Sequence, residues 1–198
     1  TIEEPPERVV TLAPSAAQTM WEIGAQDKVV GMPVGQYTSY LEGSESKTNV
    51  VDDQLQPVRE EVVGLDPDLV LAPNIINNDT VENLRSAGLT VYRFEAATSF
   101  DDVNTKTELT GQLVGEFESA AEVSAETQAT VTAVENAVDG EDRPRVYYPL
   151  GGGFTAGSNT FIDNIINSAG ADNIAAESID GYAPISAEVV AEQDPQWL

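Results

Sequence analysis

The amino-acid sequence predicts an α/β protein of two lobes, each with a central parallel sheet, joined by a long α-helix. Three observations carry this expectation. Short β-rich runs alternate with helical segments over the first hundred or so residues, a proline-free stretch runs from Phe100 to Asp139, and the alternating pattern restarts after Pro144 with a segment that repeats one in the first half. The expected organisation is an N-terminal lobe over 1–100, a helical linker over 101–139, and a C-terminal lobe over 140–198 whose sheet is incomplete.

The elements follow in order. Arg8 to Leu12 is a β-rich run closed by Ala13-Pro14-Ser15. Ser15 with Gln18 three residues on has the form of a capping box, which predicts a helix from Ala16 to Ile23 stopping at Gly24. Val29-Val30-Gly31 and Val50-Val51 read as strands. Leu69 to Ala72, apolar without alternation, reads as a buried parallel strand. Asp79 with Glu82 predicts a second capped helix ending near Gly88, followed by a strand over Thr90 to Phe94.

In the middle of the chain the only glycines between Phe100 and Asp139 are Gly111 and Gly115. The spacing predicts a helix over Val103–Val114, a break near Gly115, and a second helix over Glu118–Val138. There Val123, Thr127, Val131, Val134 and Val138 form one stripe. That second helix would measure about 31 Å, enough to serve as a strut between lobes.

After Pro144 come a strand over Arg145–Tyr148, a glycine turn and a helix over Asn159–Ala169. Glu60 to Leu69 aligns with Glu188 to Trp197 at a constant offset of 128 (188 − 60), and Ile23-Gly24-Ala25 is matched by Ala169-Gly170-Ala171. Two halves built on one plan are implied, each Rossmann-like. The first half continues past Asp66-Pro67 into another strand and helix, whereas the second ends at Leu198, so a truncated second lobe is expected.

Composition narrows the function. With 34 acidic against 9 basic residues, the net charge is −25 over 198 residues. Phosphate neutralisation needs clustered Lys and Arg, so nucleic-acid binding is excluded. Such charge repels itself in dilute buffer and is tolerated in brine, where the Debye length shrinks to about 3 Å at 1 M salt. The surface is therefore expected to be that of a halophile. The chain contains no Cys and no His. Thiolate metal sites, disulfides, cysteine nucleophiles and imidazole-based triads are all excluded. No apolar run approaches the roughly 20 residues of a membrane span.

Arg8 to Ser15 (RVVTLAPS), Ile23-Gly24-Ala25, Glu60 to Pro73 (EEVVGLDPDLVLAP), Phe154 to Ala175 and Ile185 to Pro195 occur in this order along the chain. As an ordered set they resemble the substrate-binding proteins of ABC importers for vitamin B12, iron-siderophores and haem. The resemblance covers nearly all of the chain. It implies two α/β lobes bridged by a rigid helix, a ligand held between them, no catalysis and no cofactor. It also implies a monomer outside the cytoplasm, anchored to the membrane in its full-length form, that delivers its ligand to a permease.

In open parallel sheets ligands sit beyond the carboxyl ends of the strands. Combined with the resemblance, that rule nominates Pro14, Ser15, Tyr37, Asp53, Gln54, Asn74 and Glu95 in the first half, and Gly152, Phe154 and Tyr182 in the second. Aromatic rings would cover a flat macrocycle or siderophore face and amides would take its polar rim. Glu60 and Glu188 match the family positions where one glutamate per lobe docks on arginines of the permease. Where vitamin B12 binders present a cleft aromatic, this chain has Asp53-Gln54-Leu55, so an iron-siderophore stands beside a corrinoid as the expected cargo. Without His, any metal arrives inside its chelator.

Two other functions fit parts of the sequence. Gly151 to Ala156 satisfies a G-x-G-x-x-A pattern, with Glu177 further on, as a dinucleotide-binding enzyme would require. Acid pairs such as Asp52-Asp53 and Asp101-Asp102 suit a surface protein binding calcium or magnesium, although the D-x-D-x-D-G loop is missing.

Overall fold

A computed structural model describes residues 4–197. The elements are β1 (Val9–Thr11), α1 (Pro14–Glu22), β2 (Val29–Met32), β3 (Thr48–Asn49), α2 (Arg59–Gly64), β4 (Leu69–Ala72), α3 (Asn78–Ser86), β5 (Val91–Arg93), α4 (Phe100–Val114) and α5 (Phe117–Val138). They are followed by β6 (Arg145–Val146), β7 (Phe154–Ala156), α6 (Phe161–Ser168), β8 (Asp172–Asn173), β9 (Tyr182–Pro184) and α7 (Ala187–Gln193). The chain divides into two compact units. The first holds the residues up to Ala96 with Lys106–Ser124, and the second holds Ala97–Thr105 with Ala125–Leu198.

The first unit is a five-stranded sheet in the order β3-β2-β1-β4-β5, every pair parallel. The central strands β1 and β4 are buried on both faces, which is why β4 reads as an unbroken apolar run. Successive side chains leave a strand on opposite sides. Val9, Leu69 and Leu71 accordingly pack with Ala17, Met20, Val114 and Ala120 of α1, α4 and α5. Val10, Val70 and Ala72 pack on the other face with Val62, Val81 and Leu84 of α2 and α3. Gly111 of α4 makes the elbow between α4 and α5 tight: a Cβ there would collide with Ala120 and the Glu116 carbonyl. Lys28 pins the same elbow, donating to the Val114 carbonyl and pairing with Glu116 at 3.5 Å.

Two helix starts differ from the sequence expectation. α1 begins at Pro14 with Ala13 as N-cap and no side-chain cap. Proline's fixed φ suits the first helical position, so Ser15 lies within the first turn rather than capping it. α3 is capped by Asn77, whose side chain accepts from the Thr80 N–H at 2.7 Å, not by Asp79. The third strand pairs at Thr48–Asn49 rather than Val50–Val51; both valines are buried.

The second unit repeats part of the first. β6 pairs in parallel with β8 and, on a single bridge, with Trp197, as β1 pairs with β2 and β4. The α1 and α6 helices end alike. Gly24 and Gly170 are left-handed, with φ 74° and 75°. The Ala25 N–H reaches the Met20 carbonyl at 2.7 Å and the Ala171 N–H reaches that of Ile166 at 3.1 Å. This is the Schellman closure, in which an apolar pair covers the helix end. Phe100 stacks edge-on against Phe161 with centroids 5.1 Å apart.

Of the stripe expected on α5, Val131 is buried but Val134 is 42% exposed. Among the described residues no helix is long and apolar enough to cross a membrane.

Candidate functional site

Because the five strands of the first unit are parallel, their carboxyl ends share one edge, and each is followed by a loop or helix start carrying expected site residues. Pro14 and Ser15 follow β1, Tyr37 follows β2, Asp53 and Gln54 follow β3, Asn74 follows β4, and Glu95 follows β5. A cavity of about 370 Å³ opens at this edge, lined by Pro14, Tyr37, Asp53 and Gln54 together with Val34, Gln36, Asn49 and Leu55, among others. Ser15, Asn74 and Glu95 stand outside its lining.

The walls are held by side-chain to backbone hydrogen bonds. Asn49 ties the loops after β2 and β3 together: its Oδ1 accepts from the Val34 N–H at 3.1 Å and its Nδ2 donates to the Val51 carbonyl at 2.8 Å. Buried Thr38 donates to the Pro33 carbonyl at 2.9 Å and accepts from the Gly35 N–H at 3.2 Å. Asp52 Oδ1 accepts from the N–H groups of Gln54 and Gln56, both at 2.9 Å. The lining offers amides, hydroxyls, apolar surface and two carboxylates, and contains no Lys or Arg. Such a wall hydrogen-bonds a neutral, polar-rimmed ligand and repels an anion.

Sequence reasoning missed Asn49 and Arg93. Arg93 ends β5 and donates through Nη2 to the Asn74 carbonyl at 2.5 Å, while its buried Nε has no hydrogen-bond partner among the described residues. For Arg93 the available signal was a charged residue closing the strand Val91–Arg93; Asn49, in the polar pair Thr48–Asn49, offered none.

In the second unit Gly151–Gly153 form a tight turn, Gly152 with φ 72°, leading into β7. β7 pairs antiparallel with β9, Phe154 opposite Pro184 and Ala156 opposite Tyr182. Directly opposed residues share a face, so Phe154 and Tyr182 lie diagonally on one side of this ribbon, 42% and 56% exposed. The glycines are thus a strand-to-strand turn. A dinucleotide fingerprint needs them to open a helix that receives the pyrophosphate, and that reading is corrected.

The acid pairs have structural work. Asp102 Oδ2 accepts from the Thr98 N–H and hydroxyl, both at 2.8 Å, and from the Ser99 N–H at 3.1 Å, while Ser99 Oγ accepts from the Asp102 N–H at 3.1 Å. These bonds, the Thr98 N–H foremost, hold the Asp102 carboxyl below the usual carboxylate range. Among the described residues no cluster of three or more carboxylates is arranged to hold a metal ion.

Glu60 and Glu188 are both exposed and both occupy the second position of a short helix, α2 and α7. Glu188 is held ionised to lower pH by its own backbone N–H and by the Ser186 hydroxyl.

Comparison with known proteins agrees with this architecture. Residues 9–198 match the family described as periplasmic binding protein. A cobalamin-binding protein of Halobacterium salinarum is 52% identical over 98% of this chain, which spans 54% of that relative, about half its length. An uncharacterized ABC transporter substrate-binding lipoprotein of Bacillus subtilis, YvrC, is 26% identical over 100% of this chain and 64% of its own length. The crystal structure of the periplasmic vitamin B12 binding protein BtuF of Vibrio cholerae superposes with a TM-score of 0.81 at 22% identity, covering 97% of this chain and 75% of that one. With the match running from β1 through both units, the chain belongs to the periplasmic binding protein family.

Proposed function

We propose that this protein is the substrate-binding component of an ABC importer, and that its cargo is a corrinoid of the vitamin B12 type. The observation that carries the reading is the cavity at the carboxyl edge of the first unit's sheet, whose lining offers Gln36, Asn49 and Gln54 amides and no cationic side chain. A corrin rim carries neutral amides, which such a wall can hydrogen-bond. The name of the Halobacterium relative, a cobalamin-binding protein, supports the same cargo. The second reading is an iron-siderophore, favoured by a turn that presents Asp53-Gln54-Leu55 where a ring would cover a flat macrocycle.

Pro14, Tyr37, Asp53 and Gln54 are the proposed ligand contacts in the cavity, with Ser15, Asn74 and Glu95 on the same sheet edge. Gly152, Phe154 and Tyr182 are those offered by the β7–β9 ribbon. The protein works outside the cytoplasm as a monomer, anchored to the membrane in its full-length form. Glu60 and Glu188 dock on arginines of the permease, a charge-assisted pairing that suits exposed carboxylates at equivalent places in two repeats. Reversing both charges is expected to abolish transport and leave ligand affinity unchanged.

Calorimetric titration of the full chain in molar salt tests the cargo, with cyanocobalamin, haem and ferric siderophores as probes. Cyanocobalamin binding at micromolar or tighter concentrations is the expected result. Binding of a ferric siderophore alone would replace the corrinoid reading with the second one, and binding of none would overturn the proposal.

A further inference from the structure

Leu55 sits in a backbone conformation that its own side chain opposes. Its φ is 58°, in the left-handed region, where an L-residue's Cβ crowds the following carbonyl oxygen. The other non-glycine residues with positive φ among those described are Asp66, Asn159 and Asp194, and Asn and Asp adopt this region far more readily. Leu55 is 38% exposed and belongs to neither apolar cluster of the first unit.

The turn that imposes the conformation is firmly built. Asp52 Oδ1 takes the Gln54 and Gln56 N–H groups, the Asp52 carbonyl takes the Leu55 N–H at 3.0 Å, and the Gln56 carbonyl takes the Asp52 N–H at 2.9 Å. An antiparallel bridge between Val51 and Pro57 closes the base. The strained residue at the tip lines the cavity beside Asp53 and Gln54, its apolar side chain half in solvent. Strain that the surroundings over-determine, at a residue facing a cavity, is a mark of function.

We infer that Leu55 is a specificity-determining contact: the Asp52–Gln56 turn holds its isobutyl group at the cavity wall so that an apolar face of the bound chelate covers it. This rests on the cavity being the chelate site, as proposed above. Covering the side chain removes apolar surface from water only in the complex, so affinity carries the benefit and the free protein carries the strain.

The test sets stability against affinity. Leu55→Gly and Leu55→Asn both relieve the backbone and both remove the apolar side chain. In the full chain in molar salt, each is expected to raise the ligand-free melting temperature while weakening cyanocobalamin binding about tenfold. Leu55→Met, which keeps apolar bulk and strain, is expected to leave both within error. Unchanged affinity in Leu55→Gly, with the wild type binding, would overturn the assignment of Leu55 alone. Melting temperature and affinity falling together would mark Leu55 as structural and also overturn it. A wild-type chain that binds neither cyanocobalamin nor a ferric siderophore would overturn the cavity reading, and this inference with it.

Discussion

Asp66 and Asp194, 128 residues apart (194 − 66), share one left-handed backbone conformation, φ 45° and 46°, and each directly precedes a proline. The surroundings match as well. The Arg8 guanidinium donates to the Leu65 and Asp66 carbonyls, and that of Arg145 to the Gln193 and Asp194 carbonyls. Asp68 Oδ2 accepts the Arg8 N–H at 2.9 Å, where Gln196 Oε1 accepts that of Arg145. Each half thus uses an arginine at the start of its first strand to clamp the exit of a short helix, which sets the next segment alongside that strand.

A β-branched residue cannot take that exit conformation cheaply. Asp66→Val and Asp194→Val are each expected to lower stability by about 1–2 kcal/mol, while Asp66→Gly stays within about 0.5 kcal/mol of the wild type because relief of strain is offset by unfolded-state entropy. Urea unfolding in molar salt measures both; a valine variant as stable as its glycine counterpart would refute the argument.

The clamp needs a fork. Arg8 Nε lies 3.2 Å from both carbonyl oxygens and Nη2 lies 2.6 Å from that of Leu65, a geometry that a lysine ammonium cannot reproduce. Arg8→Lys is expected to cost about 1–2 kcal/mol despite conserving charge. Loss of less than a few tenths in urea unfolding would show that the clamp is incidental.

This duplication was legible in the sequence because it is carried by turn chemistry. Asp-Pro and the Gly-Ala at each helix end are local signals, and backbone conformation at those sites follows from the residues themselves. The same holds for the Gly115 break and the apolar run of β4. What escaped was decided by distant partners. β7 and β9 pair Thr155 with Ala183, a contact that neither three-residue strand announces, so the glycine turn before β7 left a dinucleotide-binding pattern standing as an alternative. The expected Ser15 cap failed because Pro14 had already started α1. In the cavity, the loops bearing Tyr37, Asp53 and Gln54 could be named from the strand ends, but Asn49 became visible only through the loop amide it accepts from and the carbonyl it donates to.

The start of α4 is expected to be sensitive to acid. Asp102 and Ser99 exchange hydrogen bonds as a capping box, and the carboxyl titrates below its ordinary 3.8. A folded-state value below the unfolded one means that its contribution is complete above about pH 4 and is lost as pH falls through the depressed value. Asp102→Asn is expected to cost about 1 kcal/mol at neutral pH, with the gap to the wild type closing below pH 4. A gap that persists unchanged at pH 2 would show that charge plays no part in the cap.

Salt dependence follows from the surplus of acidic over basic residues. Lys28, Arg85, Arg143 and Arg145 already face carboxylates, and 9 basic residues cannot neutralise 34 acidic ones. On α5, exposed Glu118, Glu122 and Glu126 repeat at four-residue spacing, which stacks like charges on one helix face and destabilises it. The melting temperature is expected to rise by several degrees between 0.1 M and 2 M KCl, as the screening length falls from about 10 Å to below 3 Å. Replacing the three glutamates with glutamine is expected to raise it at 0.1 M and change little at 2 M. An equal gain at both concentrations would mean that helix propensity rather than repulsion sets the effect, since only repulsion is removed by screening.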